Sequence, residues 1–95
     1  VTERIIIMVS KEFTIKNSMG FHMRPANVFV SEMTKFVSEV NIKFDGKTVN
    51  GKSIMNIMAA CIKCGSVITV ECSGADEQAM LDKASELIEG GFGED

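Results

Sequence analysis

The sequence predicts an α+β fold, an open-faced sandwich in the order β-α-β-β-α-β-α. Three observations carry this. Period-two alternation of apolar and polar residues marks Glu12–Lys16 and Glu39–Phe44 as half-buried strands. An Asp45-Gly46 pair between alternating segments marks a tight hairpin. Helical spacing of apolar residues over 26–37 and 79–88 then gives two amphipathic helices. Mixed strands and helices of this kind pack as one sheet with the helices on one face.

The elements follow in order. Phe13 and Ile15 are the inward residues of the first strand, and Asn17-Ser18-Met19-Gly20 is a loop. The first helix begins near Met23, with Ala26, Phe29, Val30, Met33, Phe36 and Val37 as its stripe. Pro25, the one proline, is tolerated because it falls in the first turn. A two-residue loop at Asp45-Gly46 pairs Phe44 with Lys47 and Ile42 with Val49 on one face, so the register agrees with the hydrophobic pattern. Ser53 is an N-cap for a short helix reaching Ile62, which Gly65 can terminate. Ser66–Cys72 is a strand rich in Val, Ile and Thr. Ser73 and Asp76 stand at capping-box spacing before the last helix. Its inner stripe is Ala79, Met80, Lys83, Ala84, Leu87 and Ile88, with Lys83 snorkelling. Gly90-Gly91 ends it and the acidic tail is expected to be loose. Residues 1–7 read as an appendage, non-native or not, before a single domain over 8–95, with Met8 a candidate internal start.

Bulk properties narrow the function. A chain of 95 residues supports one modest core and favours surface chemistry over a deep pocket. A net charge of −3 argues against nucleic acid as a direct partner. No apolar run approaches the length of a membrane span, and three cysteines without a secretory signal suit a cytosolic protein with reduced thiols.

The chemistry concentrates at Met19-Gly20-Phe21-His22-Met23-Arg24-Pro25. His22 is the only histidine, and it falls between a Gly-containing loop and a helix start rather than on an apolar stripe. A helix N-terminus offers N–H donors and a positive dipole end. Arg24, two residues on, adds a planar fork of donors. An imidazole is a nucleophile near neutral pH. Together these suit a site that carries a phosphoryl group.

Ser53 serves as a plain cap. It also fits a second phosphorylation site, because a phosphate at a helix start meets N–H groups and the dipole, and Lys52 stands beside it. The short helix is apolar almost all round, so some of Ile54, Met55 and Met58 must face outward, where a methionine-rich patch binds partners. Cys61-Ile62-Lys63-Cys64 is a CxxC at a helix C-terminus, where the dipole disfavours a thiolate, and it reads as coincidence rather than a redox centre or a metal site. No metal cluster and no Gly-rich nucleotide loop is visible, so neither metal, cofactor nor direct use of ATP is expected.

Two separated signatures resemble the histidine-containing phosphocarrier (HPr) family of the bacterial sugar phosphotransferase system. GFHMRPA at Gly20–Ala26 matches the family's G-x-H-x-R-P-A, and NGKSIMNIM at Asn50–Met58 resembles its regulatory-serine motif. The resemblance implies a four-stranded antiparallel sheet covered on one face by three helices. It implies that His22 takes a phosphoryl group on its δ1 nitrogen from enzyme I, charged by phosphoenolpyruvate, and passes it to a sugar-specific IIA component. On that reading the protein is a cytoplasmic, monomeric phosphoryl-transfer intermediate rather than an autonomous enzyme. Arg24 matches the arginine that assists transfer. Ser53 matches the target of HPr kinase/phosphorylase, whose product serves in low-GC Gram-positive bacteria as corepressor of a catabolite-control transcription factor. Ile54, Met55 and Met58 match the docking patch. Met23, Cys61 and Cys64 depart from the usual residues, and residues 1–7 have no counterpart. The alternatives are a regulatory relay of the same fold not tied to sugar uptake, and a CxxC thiol or metal module.

Overall fold

A computed structural model describes residues 8–93; the expected appendage over 1–7 and the last two residues lie outside that range. The elements are β1 (Val9–Thr14), α1 (Met23–Met33), β2 (Glu39–Phe44), β3 (Lys47–Asn50), α2 (Ile54–Ala60), β4 (Val67–Ser73) and α3 (Glu77–Glu89), followed by a 3-10 turn at Gly91–Gly93. The sheet order is β1-β4-β2-β3 and every pairing is antiparallel.

Period-two burial explains the two layers. Phe13, Val40, Ile42, Val49, Ile68, Val70 and Cys72 are buried on one face of the sheet. The helices cover that face with Ala26, Phe29 and Met33 from α1, Ile57 and Ala60 from α2, and Met80, Leu81, Ala84 and Ile88 from α3. Polar residues such as Glu12, Thr14, Glu39, Lys43 and Thr48 occupy the exposed alternate positions. The hairpin register is the expected one, Phe44 opposite Lys47 and Ile42 opposite Val49. Asp45 (φ 52°) and Gly46 (φ 77°) are both left-handed, as a type I′ turn requires.

Several expectations need correction. The first strand runs over Val9–Thr14 rather than 12–16. Ile15, just beyond it, is still buried, and its N–H donates to Ser66 O while its carbonyl accepts from Gly65 N. Helix α1 stops at Met33, so Val37 leaves the stripe and is 77% exposed. Helix α2 stops at Ala60, because Cys61 itself takes the left-handed conformation (φ 54°) that ends it; Gly65 serves the next turn instead. On α3, Ala79 is exposed and Leu81 buried, and Lys83 pairs with Glu86 at 2.7 Å.

The expected Ser73–Asp76 capping box is replaced by a longer-range clamp. The Asp76 carboxylate accepts from Val37 N (3.1 Å), Ser38 N (2.9 Å) and Ser38 Oγ (2.5 Å), so it ties the start of α3 to the chain entering β2. Those donors hold its carboxyl below the usual value of 3.8, the Ser38 hydroxyl contributing most. Gly74 N donates to Glu77 Oε1 at 3.0 Å and completes the helix entry. The tail is not loose as far as it is described: Phe92 is buried, with its backbone left-handed at φ 57°.

Candidate phosphorylation site

His22 is the N-cap of α1, with extended backbone (φ −87°, ψ −166°), and its carbonyl accepts from Ala26 N at 2.9 Å. Its side chain does not cap the helix. It is half-buried. Arg24 is exposed at the second helical position, and Pro25 fills the third, where no N–H is needed. The helix start directs its first-turn N–H groups and its positive end toward the region His22 occupies.

The loop before His22 is built rigidly. Asn17 is fully buried and its Nδ2 donates to Gly20 O at 2.5 Å, while Gly20 N donates to Asn17 O at 2.9 Å. Gly20 has φ +69°, and a Cβ there would lie 2.8 Å from Ile62 O and Lys63 Cα and 3.0 Å from Cys64 N. Only glycine lets this loop press against the turn after α2. Phe21 N then donates to Ile62 O at 2.8 Å. The Phe21 ring is buried, edge-on to Phe29 of α1 at 5.5 Å and tilted against Phe92 at 5.1 Å. Sequence reading missed these supports. In the sequence Phe21 stands between Met19 and Met23 in a stretch with no periodicity to mark a buried side.

Docking the loop on the 62–64 turn brings α2 to His22. A shallow depression of about 240 Å³ is lined by His22, Met19, Phe21, Met58, Cys61, Ile62 and Lys63. Met58 is therefore joined to His22, whereas Ile54 and Met55 do not line the depression. Met55 is 81% exposed, Met19 71% and Met23 53%, and Ile54 and Met58 are half-buried. Two methionines, Met19 and Met58, thus share the depression with His22, and the exposed Met23 follows it in the chain.

Ser53 caps α2 as expected, its Oγ accepting from Asn56 N at 3.2 Å. It stands at the opposite end of α2 from the Cys61 turn, roughly 10 Å along a seven-residue helix. Lys52 is not held at Ser53; its Nζ donates to Phe36 O at 2.9 Å. Cys61 and Cys64 are exposed free thiols, and Cys64 Sγ points to Lys16 O at 3.7 Å, away from the depression that Cys61 lines. Cys72 is buried in the sheet, its thiol pushed up to about 11 by burial and then by the charges of Glu77 and Asp76. Among the described residues no group of three or more His, Cys, Asp or Glu could hold a metal ion, and no helix is long and apolar enough to cross a membrane.

The arrangement sets a half-buried imidazole and an exposed guanidinium at one helix start, on a shallow surface. The family model "PTS HPr component phosphorylation site" matches residues 9–90. The HPr-like protein Crh of Halalkalibacterium halodurans is 44% identical over 82 residues, covering 86% of this chain and 98% of that protein. Phosphocarrier protein HPr of Xylella fastidiosa is 39% identical over 88 residues, covering 93% and 99%. The crystal structure of HPr-C-His from Thermoanaerobacter tengcongensis superposes with a TM-score of 0.89 at 39% identity, covering 92% of this chain and 98% of that one. With the match running from the first described strand to the end of α3, this chain belongs to the HPr family of phosphocarrier proteins of the phosphotransferase system.

Proposed function

We propose that the protein carries a phosphoryl group on His22, taken from phospho-enzyme I and delivered to sugar-specific IIA components. The observation that supports this most is the position of His22 at the N-cap of α1, two residues before the exposed Arg24 and above a braced loop. The imidazole δ1 nitrogen forms a bond to phosphorus as the donor's bond to it breaks. Arg24 and the first-turn N–H groups stabilise the charge on the equatorial oxygens in flight. The site is shallow and exposed, so either partner can reach the group, and modest stabilisation leaves it transferable. Ile54, Met55 and Met58 form the docking patch, joined by Met19 and Met23. The protein acts as a cytoplasmic monomer, and residues 8–95 form the phosphocarrier domain.

Incubation with enzyme I and phosphoenolpyruvate, followed by mass analysis, tests this. One acid-labile phosphoryl group should appear on the parent and be absent from His22→Ala. Labelling of His22→Ala at the parent rate would refute the assignment.

A second reading rests on the 44% identity to a Crh protein. In it, Ser53 is the primary phosphorylation site and the chain acts as a regulatory relay toward a catabolite-control transcription factor. Retention of His22 with Arg24 favours the carrier. Both roles coexist if HPr kinase/phosphorylase modifies Ser53 and thereby slows transfer to His22. A parent protein that takes phosphate from ATP with that kinase but none from enzyme I would select the relay.

A further inference from the structure

Residues 91–93 lie beyond the stretch that the family model matches, yet they pack directly under the proposed phosphorylation loop. Three consecutive residues, Gly91 (φ 64°), Phe92 (φ 57°) and Gly93 (φ 79°), are left-handed. For the two glycines this is free, whereas for phenylalanine it is a strained backbone state. What offsets the strain is burial of the ring. Phe92 is 9% exposed, and its centroid lies 5.1 Å from that of Phe21. Gly91 passes beneath the loop, its Cβ position only 4.0 Å from side-chain atoms of Asn17 and Lys16.

Phe21 is therefore gripped from two sides, by Phe29 of α1 at 5.5 Å and by Phe92. Phe21 is also the residue before His22, and its N–H is bonded to Ile62 O. The ring position of Phe21 fixes the backbone from which His22 projects over the helix start. We propose that Phe92 is a positioning residue for phosphoryl transfer: a latch that holds Phe21, and through it the His22 imidazole, in line for attack. This rests on His22 being the acceptor, and the experiment separates the two claims.

Phe92 touches no reacting group, so removing its ring should act on geometry. Misplacement of a nucleophile by a fraction of an ångström slows an in-line displacement, while docking, made by other residues, is little affected. Steady-state transfer from phospho-enzyme I is measured for the parent, Phe92→Leu, Phe92→Met and Phe92→Ala, well below each melting temperature. Asp76→Ala is the control. It breaks the clamp at the other end of α3, roughly 20 Å away along a thirteen-residue helix, and lowers stability without touching the loop. Phe92→Ala should lose about tenfold in kcat with KM nearly unchanged, Phe92→Met should lose less, and Phe92→Leu should stay close to the parent. Asp76→Ala should keep the parent kcat.

Parent rates in Phe92→Ala would overturn the proposal. So would equal slowing in Asp76→Ala at a matched melting temperature, which would assign the effect to stability. If Phe92→Ala does not fold, Phe92→Met decides in the same way. A parent protein that takes no label at all refutes His22 as acceptor, a different failure.

Discussion

Replacing Gly20 with alanine tests the claim that the His22 loop is braced against the turn after α2. Two terms add. An L-residue at φ +69° costs about 1–2 kcal/mol for the left-handed backbone alone. The new Cβ would also lie 2.8 Å from Ile62 O and Lys63 Cα and 3.0 Å from Cys64 N. These are backbone atoms, so no side chain can rotate away. The loop must lift, and the 2.8 Å bond from Phe21 N to Ile62 O weakens or breaks at a further cost of about 1 kcal/mol. The total is about 2–3 kcal/mol, at the upper end of ordinary single substitutions. For a domain of this size that is a melting-temperature loss of about 10–25 °C. Gly46→Ala isolates the first term, because φ is +77° but nothing lies within 4 Å of its Cβ position. It should lose about 4–16 °C, less than Gly20→Ala, and keep full transfer. Thermal unfolding by circular dichroism, with a transfer assay on each variant, reads both effects. The reasoning fails if the two alanine variants melt within about 3 °C of each other, or if Gly20→Ala transfers phosphate at the parent rate.

Arg24→Ala should slow transfer about tenfold or more, equivalent to about 1.4 kcal/mol, and leave the melting temperature almost unchanged, since Arg24 is exposed; a large melting shift with intact transfer would make it structural. Ser53→Ala should lose the bond from Asn56 N and about 1 kcal/mol of stability, whereas Ser53→Asp keeps a capping oxygen, melts near the parent and transfers more slowly. Equal transfer by both variants and the parent would leave Ser53 as a cap alone. Asp76 titrates below its usual value, so its contribution is present above that value and is lost as pH falls through the lowered one. The stability gap between parent and Asp76→Ala, read by chemical denaturation across pH, should therefore be full near neutrality and shrink below about pH 4; a pH-independent gap contradicts this. Alkylation of the native protein at about pH 8 should modify Cys61 and Cys64 but spare Cys72, whose thiol is pushed up to about 11. Equal labelling of all three in a mass spectrum would contradict the burial of Cys72.

Local chemistry was legible in the sequence. Asp45-Gly46 specifies a type I′ turn by itself, so the β2–β3 register followed from two residues and the alternation around them. Ser53 caps its own helix three residues on, and His22 with Arg24 share one helix start. What escaped depends on distant partners. Asp76 has a good local bond available as a cap, but the N–H groups of Val37 and Ser38 compete for it and win. Cys61 ends α2 in a backbone state normally left to glycine, so the sequence placed the stop at Gly65. Phe21 and Phe92 lie in loops, where no periodicity marks a buried side, and each is buried by the other. Val37 has the right spacing for the α1 stripe, but the helix has ended before it.

The backbone bonds that brace the site join chain segments far apart in sequence. Ile15 N reaches Ser66 O, Gly65 N reaches Ile15 O, and Phe21 N reaches Ile62 O. The loop before His22 has no such anchor until β1 has paired with β4 and α2 has docked beside it. Assembling contacts of that span is costly in loop entropy and occurs together with the sheet. Phosphoryl transfer should consequently vanish on heating along the same curve as the circular dichroism of the whole domain. A half-assembled molecule would present no half-active site, and enzymatic labelling of His22 becomes a count of fully folded chains.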